Sequence, residues 1–589
     1  MPWIRDSLSV LGEQGSGLLL ILTAASIGGW LMFGLLRQTL GEVLNPNETF
    51  VLSLIGWPFF WIVSAVLGFF INRWLEFGTE WAIFVFSLLG IMLITQWKKM
   101  PAPFGLISPL FIAACFGIFL LSLFTRLASL SGLLVPAYFD GVLHYQISKV
   151  LLQNFRQWPW EMSSAPVSGY YHIGFHLLTA AFAFVTNQDV IQVILLLGAF
   201  VLALVPFPVW LFVRRATGST VAAIFALLLA GWGWDMPAHA LNWGKYPAVL
   251  GLLAAQFVLT LAFTAVGLVT RRAKLTLLVL GVTSTLVATL IHSRAVVLIL
   301  IAILSFLMAR FLEKQPQAWV WVGLAVLVSG IIAITAYIET RPILRLVFDP
   351  YLRVGVWITA LVGALLLFAV RHFRLLTITC LLVILGLLVA LLLPIPSESF
   401  QTVLDRPFVQ MTLYLPLAIL AGLGLAGLRK EAFPGWQTAL VSGAILCAAI
   451  ISIGRGYPFS ASPCCILFQA DDAVAFDWIQ KHLAPDAHIL IAGNTLNVFD
   501  VPDSAELRGA DGGVWLPLFT GRKVSLEHLS FDFRSPPLFY RLCERGITHI
   551  YVGSTAERFD LSALQSKPEW YTLELALPGT NLFRLTGCP

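Results

Sequence analysis

The feature that most limits this chain is a repeated run of about twenty apolar residues, each closed by a few charged ones. Wound as a helix, such a run matches the roughly 30 Å hydrocarbon core of a bilayer. Hydropathy windows predict fourteen spans, near 17–36, 50–71, 81–96, 104–124, 190–213, 219–234, 247–270, 275–291, 294–310, 318–337, 354–370, 375–393, 408–428 and 436–454. Charged residues are only 11% of the 589, against about 25% in soluble domains, which excludes an ordinary soluble globule. The expected fold class is mainly α, a polytopic transmembrane helical bundle. The first run follows Arg5 and Asp6, which suits a retained span rather than a cleaved signal peptide.

Charge divides the chain. Residues 468–589 hold 10 basic and 15 acidic residues, whereas 1–467 hold 26 and 16. A basic membrane domain, 1–467, is therefore expected before a small α/β domain, 468–589. In the latter, "DDAVAFDWIQKHL" reads as an amphipathic helix, "HILIAG" and "HIYVGS" as buried strands, and "WYTLELAL…NLFRLTG" as a closing hairpin. No glycine-rich phosphate loop follows either strand, so no nucleotide site is expected. Nor is nucleic acid an expected partner, because the basic residues are scattered through short loops. Cys115, Cys380 and Cys447 read as packing residues. Cys464, Cys465, Cys543 and Cys588 are candidates for disulfides if the C-terminal domain lies outside the cytoplasm.

Lys and Arg in short loops set the orientation. Arg37, Lys98 and Lys99, Arg214 and Arg215, "RRAK" at 271–274, Arg310 with Lys314, "RHFR" at 371–374, and Arg429 with Lys430 are placed inside. The C-terminal domain and the first large loop, 125–189, then lie outside. The apolar run 173–186 has only 14 residues; if it crossed, Arg214 and Arg215 would move outside. It reads as interfacial or re-entrant, and 141–155 similarly as a helix lying on the membrane. In the latter, Leu143, Ile147, Val150 and Leu151 share one face and His144, Ser148 and Lys149 lie off it.

Five polar clusters fall at the outer face. "YFDGVLHY" holds Asp140 and His144; Asp140 is either the N-cap of a helix starting at Gly141 or a general base that anchors a substrate. "SGYYHIGFH" places His172 and His176 on one helix face, as ligands or as interfacial anchors. "WDMPAHALNWGKYP" offers Asp235, His239 and Lys245 among the belt aromatics Trp234, Trp243 and Tyr246; Lys245 is a phosphate contact or a snorkelling lysine. His292 and Arg294 sit where two runs meet almost without a loop, where ionisable groups tend to line a cavity. "DRPF" offers Arg406 to a phosphate, or to an ion pair with Asp405. Glu339, Arg341, Arg345, Asp349 and Arg353 form a less specific set in the loop 338–353.

The order of these parts resembles the GT-C superfamily of membrane glycosyltransferases. An apolar run leads to "FDGVLHYQISKVL", then to the proline-containing stretch "WPWEMSSAPVSGYYHIGFHLLTAAFAFVTNQ", then to a span ending in "VRRATG". "NWGKYP" and "RPFVQMTLYLPLAILAGLGLAGL" are also similar to stretches of this group. The resemblance covers most of 104–589 and implies a GT-C-like fold with an extracytoplasmic C-terminal domain. It implies a sugar donor on a polyprenyl phosphate or diphosphate, soluble in membrane lipid, and a glycan, lipid or protein acceptor. Asp140 would be catalytic; His144, His172, His176, Lys245, His292, Arg294 and Arg406 would bind substrate, with Arg406 on the leaving phosphate. Many members carry two acidic residues near the first loop; this chain carries one, Asp140 beside Gly141. Whether a divalent metal, Mg or Mn, takes part stays open. The implied setting is a prokaryotic plasma membrane and cell envelope. The competing readings are a lipid-linked glycan polymerase or ligase, a lipid or glycan transporter, and a membrane scaffold without activity.

Overall fold

A computed structural model describes residues 2–588, save 42, 76–80, 82–83, 86, 89, 91–106, 159–160, 162–170, 266–270, 315–328, 331–341, 396–400, 432–434, 497 and 499–505. The protein is mainly helical, with a small sheet near its C-terminus. Among the described residues, nine helices are long and apolar enough to cross a membrane, or up to eleven if each of two bent pairs counts as one span. It is a multi-pass membrane protein. Of the fourteen expected spans, those near 81–96 and 318–337 lie largely outside the described residues, as do Glu339 and Arg341.

The span expected at 219–234 is corrected. It is the 13-residue helix Thr220–Trp232, whose rise of about 20 Å falls short of a bilayer. The chain fills the remaining depth with the loop 233–245, which dips into the bundle. Trp234, Met236 and Leu241 in it are buried, as is Tyr246 beyond it, so Trp234 and Tyr246 are core residues and not an interfacial belt.

Local signals explain the helix ends. Asn45 and Glu48 form a capping box at Pro46–Gly56, and Asp189 caps Val190–Leu204 by accepting from the Ile191 N–H. The helix Pro206–Thr217 stops at Gly218, whose left-handed φ of 72° costs glycine little. Burial separates central from peripheral spans. Val190–Thr217 and Arg406–Leu428 are 89% and 83% buried, against 11% for Gly435–Gly456, whose Leu440, Ile450 and Ile451 face outward. Cys447 is exposed there and is not a packing residue; Cys115 and Cys380 are buried.

The two helices expected to lie on the membrane are interior. Tyr138–Gln153 buries His144 and Ser148, the residues assigned to its polar face, and Gly174–Thr186 is buried along nearly its whole length. Both are too short to span; His144 and His176 pair with one another, while the Ser148 hydroxyl and His176 Nδ1 are buried without a hydrogen-bond partner among the described residues.

The sheet region holds six strands: β1 (His488–Leu496), β2 (Glu506–Gly509), β3 (Lys523–His528), β4 (His549–Val552), β5 (Tyr571–Ala576) and β6 (Asn581–Leu585). The path runs β2-β1-β4-β6-β5, with β3 also paired to β1. β1 is parallel to β3 and β4, and antiparallel to β2. The helix Ala470–His482 precedes β1. Disulfides join Cys543 to Cys588 and Cys464 to its neighbour Cys465. The region docks on the bundle through Trp515 and Phe519, whose rings lie 5.7 and 6.1 Å from that of Tyr145.

Candidate functional site

The site grows from a close approach of two loops that glycines permit. The helix Tyr138–Gln153 is preceded by Ala137 as its N-cap, with no side-chain cap bond. Asp140 is therefore not the N-cap expected from the sequence; it lies in the first turn, where the helix dipole favours a negative charge. A Cβ on Gly141 would stand 2.6 Å from the Pro136 carbonyl oxygen. Gly244 has φ +64°, and a Cβ there would lie 2.6 Å from the Ala137 carbonyl oxygen and 3.4 Å from Asp140 Cβ. "FDG" and "WGK" thus mark a backbone contact. The Ala137 N–H donates to the Tyr246 hydroxyl at 3.3 Å and closes it.

That contact sets Lys245 Nζ 2.5 Å from Asp140 Oδ2. Lys245, offered as a free phosphate contact or a snorkelling lysine, is instead the partner of Asp140. The side chains are 24% and 20% exposed, so the pair keeps access to solvent.

One turn along the helix, His144 Nδ1 lies 3.0 Å from His176 Nε2. Burial, aided by His172 and Lys245, pushes the His144 imidazole down to about 3, so it is neutral at physiological pH and one ring donates to the other. The His172 ring lies 4.5 Å from His292 and 6.4 Å from His176. His292 in turn stacks on Phe408, 5.4 Å away and 6° from parallel. Four neutral-capable rings thus line one wall.

Two arginines complete it. Arg294 Nη1 pairs with Asp405 Oδ2 at 3.1 Å, while Asp405 Oδ1 accepts from the Phe408 N–H. The expected pair between Arg406 and Asp405 is therefore replaced by one between Arg294 and Asp405. Among the described residues the Arg406 guanidinium has no hydrogen bond or ion pair, and its Nε is buried. Its backbone N–H donates to the Val498 carbonyl at 3.0 Å, tying the chain just beyond β1 to this span.

Sequence reasoning missed the residues that link these groups. Burial, with Asp140 and Glu557 nearby, pushes the Tyr138 phenol up to about 12 against the pull of Arg406, so it is a hydrogen-bond donor at neutral pH. Tyr171 stacks on His172 at 4.4 Å and stands in the electrostatic reach of both Asp140 and Arg294. Arg508, on β2, lies over the Phe139 ring at 5.7 Å. The tyrosines had a visible signal, since they neighbour the histidines and the "FDG" glycine; Arg508 and Glu557 had none.

Asp140, His144, His172, His176, Lys245, His292, Arg294 and Arg406 are thus drawn into one neighbourhood under the sheet region. Asp235 belongs elsewhere. It faces Arg353 and Asp349, and burial pushes its carboxyl up to about 6. Arg353 and Asp349 pair with each other at 3.7 Å.

Among the described residues, no three of His, Cys, Asp and Glu are placed to hold a metal ion. Asp140 faces Lys245 and its other neighbours are imidazoles, so no set of oxygen ligands of the kind Mg or Mn takes is assembled among the described residues.

Residues 62–395, more than half of the chain, match a family described only as of unknown function (DUF6541), and the chain belongs to that family. No curated protein matches the chain.

Proposed function

We propose that this member of the family is an integral membrane glycosyltransferase of GT-C-like fold. It moves a sugar from a polyprenyl phosphate or diphosphate donor to an acceptor hydroxyl at the extracytoplasmic face. The observation that carries this reading is that Tyr138 stands within electrostatic reach of both Asp140 and Arg406, the latter's buried Nε having no hydrogen-bond partner among the described residues. Transfer needs a carboxylate for the incoming hydroxyl and a cation for the departing phosphate; a donor dissolved in lipid needs both at the membrane boundary.

In the proposed step, the acceptor oxygen attacks the anomeric carbon and its proton passes to Asp140. The bond from that carbon to the phosphate oxygen breaks, and the electron pair leaves with the phosphate. Lys245 orients Asp140 before the acceptor binds. Arg406 takes the phosphate, in a bidentate contact where geometry allows, with Arg294 fixed beside it by Asp405. The neutral imidazoles and the Tyr138 and Tyr171 hydroxyls can hydrogen-bond sugar hydroxyls without adding charge. The Cys543–Cys588 disulfide fits an oxidising compartment for the sheet region.

The test is transfer from a labelled polyprenyl phosphate sugar by the purified protein. Asp140→Asn is expected to lower turnover by about 10²-fold or more, with donor binding retained. Transfer at the wild-type rate by that variant would remove Asp140 from its role; no transfer from any such donor by the wild type would end the transferase reading. A lipid-linked glycan polymerase or ligase shares this donor class and is told apart by an acceptor that is itself a lipid-linked glycan.

A further inference from the structure

Directly beneath the site lies a chamber of about 320 Å³, in the size range of ligand pockets. Five helices wall it: Pro206–Thr217, Tyr246–Ala265, Arg294–Glu313, Arg374–Leu392 and Tyr414–Leu428. Its walls are apolar save for Gln256, whose buried Nε2 has no hydrogen-bond partner among the described residues. The hydroxyls of Thr260, Thr379 and Thr412, which line it, are spent on carbonyls of their own helices.

The chamber is continuous in sequence with the site. Leu298 is one turn below Arg294, and Thr412 one turn below Phe408, the ring that stacks on His292. It also runs deep. Leu307 lines it thirteen residues beyond Arg294, about 20 Å down the helix. On the facing helix, Phe263 lines it seventeen residues beyond Tyr246, about 25 Å down. Half of a hydrocarbon core is only about 15 Å, so with the site at the outer boundary proposed above, or sunk below it as the burial of Tyr246 indicates, the floor reaches past the midplane. Ile303 and Leu307 are exposed on the flank of the bundle, which gives a chain a lateral way in from lipid.

These dimensions choose among hydrocarbon ligands. A diacyl lipid with its phosphate at Arg294 and Arg406 has tails sized to one leaflet, which end near the midplane and leave the floor empty. Inside a membrane, burial from water is not available as a driving force. What distinguishes ligands is packing, and an unfilled apolar void forfeits contacts. We propose that the chamber holds the distal part of one long isoprenoid chain whose phosphate lies at the site, and that its depth selects carriers by chain length. This rests on the reading of the donor as a lipid-linked sugar.

The test uses the full-length protein in nanodiscs and a long polyisoprenyl monophosphate with a photoreactive group at its far end. Crosslinks are expected on the lower lining, at Phe263, Leu307 or Leu376. Competition by unlabelled long-chain phosphate is expected to be roughly tenfold stronger than by a phosphate with two isoprene units. Ala302→Phe, which intrudes midway, should lower crosslinking several-fold at an unchanged melting temperature. Crosslinks confined to outward faces such as Leu278 and Val282, equal competition by the short chain, or equal competition by a diacyl phosphatidate would each overturn the proposal. If Ala302→Phe fails to fold, the wild-type map and the competition series still decide it. Neither readout requires sugar transfer. Crosslinks in the chamber without transfer leave this site standing and the transferase reading refuted; transfer without them does the reverse.

Discussion

Gly244→Ala isolates the contact on which the site is built. Two penalties separate at this position. The first is conformational: at φ +64° an L side chain costs about 1 kcal/mol over glycine. The second is steric, since the new Cβ would sit 2.6 Å from the Ala137 carbonyl oxygen and 3.2 Å from the Gly141 nitrogen. Both are backbone atoms that cannot swing aside, and forced shifts of this kind cost about 1–3 kcal/mol. The sum is about 2–4 kcal/mol. Gly218→Ala supplies the control. Its φ is +72°, but its Cβ would meet only the tip of Arg214, at 3.9 Å, so about 1 kcal/mol is expected. Denaturant unfolding of the three proteins in one detergent measures the difference. Accessibility of Lys245 to an amine reagent then reports whether the loop has left Asp140. Equal losses for the two variants, with Lys245 no more reactive, would refute the idea that glycine is required here for close approach.

Arg406→Gln should weaken binding of a polyprenyl phosphate by roughly 10- to 100-fold, the loss of a charge-assisted contact, with Arg406→Lys in between; unchanged binding in both would free Arg406 from the phosphate. Asp511 is fully buried, and burial pushes its carboxyl up to about 7, with Asp472 pushing the same way and the Gly513 and Gly553 N–H groups pulling it down. Its folded value exceeds its unfolded one, so the folded state holds the proton more tightly, and stability should fall as pH rises from about 4 to 7, then level off. Asp511→Asn should flatten that fall in a pH series of unfolding midpoints. A reporter fused after residue 589 should read extracytoplasmic, and a cytoplasmic signal would reverse the proposed sidedness.

The helical bundle was legible because spans are written in runs of single residues and need no partner to be read. Two short helices were legible only in part. Amphipathicity says which face of Tyr138–Gln153 is polar, but in a membrane bundle the polar face can turn inward, and His144 and Ser148 did so. The loop 233–245 read as a surface loop because its Trp and Tyr residues suit an interface equally well. The candidate site residues were legible by type and by place at span ends. Their pairings were not, since Asp140 meets Lys245 across 105 positions and Arg294 takes Asp405 from the expected partner Arg406. Arg508 and Glu557 were invisible because ordinary surface charges of a small sheet look alike until docking places them.

The tie between the Arg406 amide and the Val498 carbonyl, with Arg508 over Phe139, bears on how the protein is made. A ribosome finishes every described span before it reaches β1, so the bundle enters the membrane with this recess uncovered. Only a segment synthesised after those spans roofs it. A message cut short after Gly456 would still yield an inserted protein, but one whose Asp140 and Arg406 lie open to bulk water. Synthesis of the sheet region thus acts as a checkpoint before the site is closed.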